Sequence, residues 1–284
     1  MIESCGSRAA TRRVGLIGFP VEHSLSPVFQ QAAFDALGLD VRYELWPTPP
    51  DEMPQRVSGL RAAEFLGANV TVPHKQRAFA LMESVSEIAR RAGAVNTIVK
   101  RDGALHGENT DVPGFLAPLT QRGLNPAEMN IIILGAGGAA RGVIVALQSA
   151  GSEHLVVANR TVERAQSLAH ELGGSLTISA LDDALMAHAR HADLLVNATS
   201  LGWEGDRLPI DEAVLAALPR DTLIYDLTYR ETPLLRAAAR LGFPTLDGLE
   251  MLVAQGAESF RHWTGLEPPL DLMLAAARTA AQAR

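Results

Sequence analysis

One cysteine, Cys5, stands in 284 residues. A lone thiol cannot build a disulfide framework, and the count fits a reducing, cytoplasmic setting. Positive charge is also short: 25 Lys and Arg against 32 Asp and Glu give a formal net charge of −7. A nucleic-acid-binding face shows as a basic excess, so no nucleic acid is expected as a partner, and Arg90-Arg91 reads as a solvated helix face. Long apolar runs are missing as well. The head, MIESCGSRAATRR, lacks the apolar segment of a signal peptide, and nothing approaches a membrane span. The eight histidines form no ligand-spaced set with Cys or carboxylates, and His188 and His191 read as solvent-facing, so no metal is expected. Repeats and low-complexity linkers are absent. What is present is ordinary for a soluble protein, 47% apolar and 20% charged, at a length that favours two domains. An acidic monomer and a homodimer both suit such a chain.

Short apolar runs alternate with helical patterns throughout. VGLIGF (14–19) comes first, then a helix opened by Ser26 as cap with Pro27 at its first position and ended by Gly38. VRYELW, a helix near 51–62, EFLGANVTV, two helices over 74–92, and VNTIVK followed by ALHG continue the series. A second series runs through MNIIILG, a helix over 139–150, LVVAN, a helix over 161–172, LLVNATS, TLIYDLT and a helix over 233–241. Strands spaced by helices of this length imply βαβ units and parallel sheets, an α/β fold. The boundary falls near 111–113, where NTDVPG breaks the pattern, and the last 35 or so residues read as helical.

The second series opens on NIIILGAGGAARGVIVALQSAG. Gly135, Ala136, Gly137, Gly138, Ala139 and Ala140 fit G-x-G-x-x-G/A between a strand and an amphipathic helix. Gly135 permits the tight turn, Gly137 lets a pyrophosphate approach the backbone, and small Ala140 lets the helix pack on the strand. The pyrophosphate then faces the free N–H groups of a helix N-terminus. A dinucleotide is expected here. Where an NAD site holds the ribose with an acid, the next strand ends in Asn159, Arg160 and Thr161, with Arg164 one turn on. Two guanidinium groups and a hydroxyl suit a 2′-phosphate, and cations at a helix N-terminus oppose its dipole unless an anion is bound there. NADP(H) is therefore favoured over NAD(H).

NVTVPHK (69–75) delivers an amide, a hydroxyl and an ammonium to the end of an apolar strand. Alone, Lys75 is an ordinary surface lysine and Asp111 a turn former. HSLSP (23–27), NVTVPHK, GAVNT (93–97), GENTD (107–111), GAGGAAR (135–141), NRT (159–161), NATSLG (197–202), YDLTY (225–229) and DGLEMLVAQGA (247–257) are together more telling. In this order and spacing the chain resembles the shikimate dehydrogenase family, from about Val14 to near the C-terminus.

The resemblance implies an N-terminal α/β substrate domain, 1–111, completed by C-terminal helices in 247–284, a Rossmann-type NADP-binding domain over 112–246, and a cleft between them. It implies reversible NADPH-dependent reduction of 3-dehydroshikimate to shikimate, in the chorismate pathway to aromatic amino acids. Ser24 and Ser26, helped by Tyr229, would hold the substrate carboxylate. Thr71, Lys75, Asn96 and Asp111 would hold the ring hydroxyls, with Lys75 and Asp111 catalytic and Gln255 a further contact. Thr199, Ser200, Leu227 and Gly248 would join the glycine turn and Asn159–Arg164 around the cofactor. The residue types suit a small carboxylate bearing three hydroxyls, since one buried group left unpaired costs about 1–3 kcal/mol. A neighbouring Asp111 carboxylate would raise the lysine pKa while desolvation would lower it, and the sequence leaves that balance open. Two departures stand out: YRETPLL is a short loop after YDLTY, and Val112 stands where glycine is common. His23 reads as structural. Quinate or dual-specificity dehydrogenases share the scaffold, as do enzymes making aminoshikimate-type compounds. A nucleotide-sensing protein without catalysis is a further alternative, which the presence of both Lys75 and Asp111 disfavours.

Overall fold

The computed structural model describes residues 11–202 and 205–283. Cys5 and most of the N-terminal head lie outside the described residues. The chain divides into two compact units, Met1–Asn109 with Ser259–Ala276, and Thr110–Glu258 with Ala277–Arg284. The expected boundaries stood at 111/112 and 246/247; by contact, residues 247–258 group with the second unit.

In the first unit β1 (Arg12–Gly18) leads through α1 (Ser26–Ala36) to β2 (Val41–Pro47), and α2 (Met53–Gly59) leads to β3 (Gly67–Val70). Then come α3 (Lys75–Ala80), β4 (Ser84–Val85), α4 (Glu87–Ala92), β5 (Thr97–Arg101) and β6 (Ala104–Glu108). The sheet order is β2-β1-β3-β5-β6-β4. β1 pairs in parallel with β2 and β3, but β5 runs antiparallel to both β3 and β6. This corrects the expectation of parallel sheets. Asp102 and Gly103, with φ of 52° and 82°, form a two-residue hairpin between β5 and β6, and so short a connection can join only antiparallel neighbours. Ile17, Trp46, Val70, Ile98 and Leu105 pack from these strands against Met53, Val57 and Leu60.

The second unit contains α5 (Asp111–Gln121), β7 (Ile131–Leu134), α6 (Gly138–Ser149), β8 (Leu155–Ala158), α7 (Val162–Leu172), β9 (Leu176–Ser179) and α8 (Asp183–Ala189). β10 (Leu194–Asn197), α9 (Glu212–Ala216), β11 (Leu223–Asp226), α10 (Pro233–Arg240) and β12 (Thr245–Leu246) complete its core. The order is β12-β11-β10-β7-β8-β9, parallel throughout. Read from the β9 edge and numbered along the chain, the six strands lie third, second, first, fourth, fifth, sixth, the doubly wound dinucleotide-binding arrangement. Such a sheet is covered on both faces. Ile131 and Ile133 face one core while Ile132 and Leu134 face the other, which explains the unbroken apolar run. Two further helices follow, α11 (Leu249–Thr264) and α12 (Leu270–Gln282). Among the described residues, no helix is long and apolar enough to cross a membrane.

Candidate active site

The end of β3 carries the run NVTVPHK, whose polar residues divide into two jobs. Asn69 is built into the interior: its Oδ1 accepts from Tyr43 Oη at 2.8 Å. Its Nδ2, which carries two hydrogens, has three acceptors in reach: the Asn96 carbonyl at 3.3 Å, Thr97 Oγ1 at 3.1 Å and Ser259 Oγ at 2.9 Å. His74 is buried too, its Nε2 lying 2.7 Å from the Thr48 carbonyl. That bond ties the turn after β3 to the residue following β2. Thr71 and Lys75, by contrast, are only half-buried. Thr71 N–H donates to Ile17 O at 2.8 Å, and the Lys75 carbonyl accepts from Val95 N–H at 2.9 Å. A Cβ on Gly18 would lie 2.4 Å from Thr71 Cγ2, so the close packing of these two strand ends requires glycine there.

Because β5 is antiparallel to β3, its beginning lies at the finishing end of β3, where Val70 N–H donates to Asn96 O at 2.8 Å. The mixed sheet thus brings Thr71, Lys75 and Asn96 to one end of its central strands. Ser24 and Ser26 reach the same end from β1. Ser26 is the first helical residue rather than the cap, which corrects the expectation. Leu25 is the N-cap, without a side-chain bond, and Ser24 Oγ accepts the Ser26 N–H at 3.1 Å. Ser26 is buried and hydrogen-bonded to Tyr43, whose phenol pKa is raised by burial and only partly offset by that bond. β6 ends at Glu108, register-paired with Thr97, and Asn109 Nδ2 donates to Ala94 O at 3.0 Å. Thr110 and Asp111 follow, Asp111 as the first residue of α5.

Asp111 belongs to the second unit, together with Gln255, Tyr229 and every residue expected at the cofactor. Thr110 Oγ1 lies 3.5 Å from Gln255 Oε1, so the start of α5 and the middle of α11 are adjacent. Val112, at the departure from the family pattern, is buried in the core.

The residues expected at the cofactor follow the strands of the doubly wound sheet, beyond the carboxyl ends where such a sheet places a ligand, with the switch between β7 and β10. Gly135 follows β7 with φ of 111°, a left-handed turn beside the Ala198 carbonyl, and Ala140 is fully buried beneath it. Ala136 and Ala139 flank Gly137 and Gly138, where an added Cβ would meet nothing within 4 Å, so the backbone stands open to a ligand. α6 begins there with no side-chain cap. After β8, Asn159 Nδ2 donates to Thr161 O at 2.8 Å, and Thr161, the N-cap of α7, spends no side-chain bond on capping. Arg160 and Arg164 are exposed beside it, and no carboxylate occupies the Asn159–Thr161 turn. This set fits a dinucleotide carrying an added phosphate.

The loops after β10 and β11 share a hub that sequence reasoning missed. Asp226 is fully buried; its Oδ2 accepts from Asn197 Nδ2 at 2.9 Å and Thr232 Oγ1 at 2.8 Å, and its Oδ1 from Thr228 N–H at 3.0 Å. Asn197 Oδ1 in turn accepts from Thr199 N–H and Oγ1, and Thr199 Oγ1 accepts from Leu201 N–H. One carboxylate thereby fixes the segments bearing Thr199, Ser200, Leu227 and Tyr229. Thr232 also caps α10, accepting from Leu235 N–H at 3.2 Å, which closes the short loop after Tyr229. The available signal was an aspartate ending the apolar strand LIYD. Gly248 accounts for its own identity, since a Cβ there would lie 2.0 Å from the Leu227 carbonyl.

Tyr229, half-buried, lines a recess of about 710 Å³ with Arg122, Arg236, Asp247, Glu250 and Arg278. No other expected site residue lines it. Glu250 pairs with Arg122 and Arg278, and Arg236 with Asp206, so this is an ion-paired surface and not the dinucleotide site. Among the described residues no His, Cys, Asp or Glu cluster could hold a metal. His191 is exposed and His188 half-buried, while His23 is exposed.

Family models match three stretches of the chain: a shikimate dehydrogenase substrate binding domain over residues 16–98, a shikimate/quinate 5-dehydrogenase model over 119–203, and a shikimate 5′-dehydrogenase C-terminal domain over 248–278. A relative from Symbiobacterium thermophilum, named shikimate dehydrogenase (NADP(+)), is 42% identical over 96% of each chain. The chain belongs to the shikimate dehydrogenase family. A second member so named, from Rubrobacter xylanophilus, is 45% identical over 93% of this chain and 94% of its own. The crystal structure of the Thermus thermophilus shikimate 5-dehydrogenase, in complex with NADP(H) and shikimate, shares 43% identity. It superposes with a TM-score of 0.86 over 95% of this chain and 99% of that one. Shikimate dehydrogenases therefore match this chain along both sheets, the mixed one as well as the doubly wound one.

Proposed function

We propose that the protein is an NADP-dependent shikimate dehydrogenase that reversibly reduces 3-dehydroshikimate to shikimate, a step toward chorismate and the aromatic amino acids, in the cytoplasm. One observation carries this reading: the first sheet gathers two serines, Thr71, Asn96 and Lys75 at a single end, beside a family-wide match in sequence. Short hydroxyl and amide arms suit a small polyhydroxylated carboxylate. Ser24 and Ser26, with Tyr229, receive the carboxylate; Thr71, Asn96, Asp111 and Gln255 hold the hydroxyl groups. Gly135–Ala139, Asn159–Thr161, Arg164, Thr199, Ser200, Leu227 and Gly248 hold NADP, which when bound accepts or supplies the hydride.

Lys75 and Asp111 handle the hydroxyl and its proton. In oxidation, Lys75 Nζ takes the hydroxyl proton as the hydride leaves the carbon bearing it. In reduction the ammonium returns that proton to the carbonyl oxygen, and its charge stabilises the developing alkoxide. Losing a general acid–base group costs about 10²–10⁴ in rate. Lys75→Ala should lower kcat by that order while the KM for NADP⁺ stays near wild type. Near-normal turnover in steady-state assays of the variant would return Lys75 to the ordinary surface lysines.

A further inference from the structure

Beyond the carboxyl ends of β10 and β11, two loops of the second unit are joined by side chains with no solvent contact. Asn197, Asp226 and Thr232 are each 0% exposed. Polar groups so deep are costly unless their bonds are made, and a network made in full fixes each member's orientation. Asn197 Nδ2 has two hydrogens and two acceptors, Asp226 Oδ2 at 2.9 Å and the Leu201 carbonyl at 3.3 Å. Its Oδ1 therefore faces Thr199, which donates to it through N–H at 3.1 Å and through Oγ1 at 2.7 Å. The Thr199 proton is committed inside the loop, so its hydroxyl can only accept from anything else. From the other side, Thr232 Oγ1 donates to Asp226 Oδ2 at 2.8 Å and Thr228 N–H to Oδ1 at 3.0 Å. All three bonds to the Asp226 side chain are thus donated to it, and both of its oxygens serve as acceptors.

We propose that Asp226 is a positioning residue for both ligands. Its carboxylate holds the loop after β10, which carries Thr199 and Ser200, against the loop after β11, which carries Leu227 and Tyr229. Fully buried, it acts through those residues and not on a ligand. The strand ends have a backbone link of their own, Leu227 N–H donating to Asn197 O at 3.2 Å. The carboxylate adds the setting of what lies beyond them. Through Asn197 it fixes the Thr199 hydroxyl, which accepts Leu201 N–H at 3.1 Å. Through Thr228, whose carbonyl accepts Gly248 N–H at 3.0 Å, it helps set the peptide that leads into Tyr229. These segments pack closely: a Cβ on Gly202 would lie 3.1 Å from Thr232 Cβ, and one on Gly248 2.0 Å from the Leu227 carbonyl oxygen. An amide in place of the carboxylate would turn an N–H on one of the three donors and shift both loops together. This inference rests on the proposed shikimate dehydrogenase function.

The test is steady-state kinetics on Asp226→Asn, which keeps the shape and exchanges one acceptor for a donor, on Thr232→Val and Thr232→Ser, and on Leu185→Ala as a stability control. In Asp226→Asn the KM for NADP⁺ and the KM for shikimate should both rise about tenfold, the loss of one well-made hydrogen bond. Thr232→Val should raise the same two constants by a smaller factor, and Thr232→Ser, which keeps the hydroxyl, should stay near wild type. Leu185→Ala opens a cavity in the core under α8; it should lower the melting temperature and leave both KM values in place, which separates positioning from stability. If Asp226→Asn does not fold, the Thr232 pair carries the test, with both KM values rising in the valine variant only. Unchanged KM values in folded Asp226→Asn, a rise for one ligand alone, a serine variant as weak as the valine one, or equal rises in Leu185→Ala would overturn the role assigned to Asp226. A wild-type protein that does not oxidise shikimate would instead overturn the functional reading, and this inference with it.

Discussion

Arg160 stands exposed at the uncapped start of α7, with Arg164 one turn on. A charge-assisted contact to a 2′-phosphate contributes about 1.5–3 kcal/mol, roughly 10- to 150-fold in affinity. Arg160→Ala should therefore raise the NADP⁺ KM by that order and leave weak NAD⁺ use nearly unchanged, measured by initial rates with each cofactor. Equal losses with both would show that Arg160 supports the fold. The expectation for Arg160 rests on residue type alone: a cation where an acid would hold a bare ribose. Ser24 was only half legible. Its hydroxyl was visible, but its acceptor role toward Ser26 N–H was not, since that depends on where α1 begins. Ser24→Ala would remove a local backbone bond along with any substrate contact, so it is not the clean probe its sequence position suggests. Asn69 and Thr71 read alike in NVTVPHK. The alternation of a strand says which face each side chain leaves by, not what waits there. Burial separates them, and only the fold supplies burial.

At the scale of elements, the start of α11 shows how a half-buried carboxylate couples to pH. Asp247 Oδ1 accepts the Leu249 N–H at 2.9 Å. Its pKa is nevertheless raised above the usual 3.8, because burial outweighs that bond, and the charges of Glu250 and Asp226 add to the rise. The folded protein thus holds this proton more tightly than the unfolded chain does. Stability is lost as pH climbs from about the unfolded value through the folded one, and stays lost above it. Asp247→Asn, which keeps an acceptor and removes the charge, should raise the denaturation midpoint at neutral pH. The advantage should shrink as pH is lowered toward 3.8. Denaturant titrations across that range check this; a gain independent of pH, or a loss, would contradict it. Strand–helix alternation in the second unit was readable because four-residue apolar runs between helices mark a sheet buried on both faces. The two-residue strands β4 and β12 were not, having too few residues to show a period. The Asp102-Gly103 hairpin signal was present and unused, and it reversed β5, bringing Asn96 to the side of Thr71.

On the scale of the whole molecule, the ordered motifs carried the family before any coordinate did, since nine spaced motifs constrain a chain far more than one glycine turn. The fold adds a reason for their spacing: each motif ends a strand of one of the two sheets, or begins the strand or helix beside it. Where the chain changes units was less legible. The pattern break at NTDVPG came within two residues of the boundary, whereas α11 and α12 are continuous helices whose contacts change partway along. Periodicity reports that a helix continues, not which core it serves. The central claim is that this chain oxidises shikimate with NADP⁺. The most direct measurement is initial nicotinamide absorbance rates of the purified protein with NADP⁺ and NAD⁺, each crossed against shikimate and quinate. The highest kcat/KM should fall on NADP⁺ with shikimate, with NAD⁺ at least tenfold poorer on the affinity scale above. A preference for quinate or for NAD⁺, or no reduction with any of the four pairs, would contradict it.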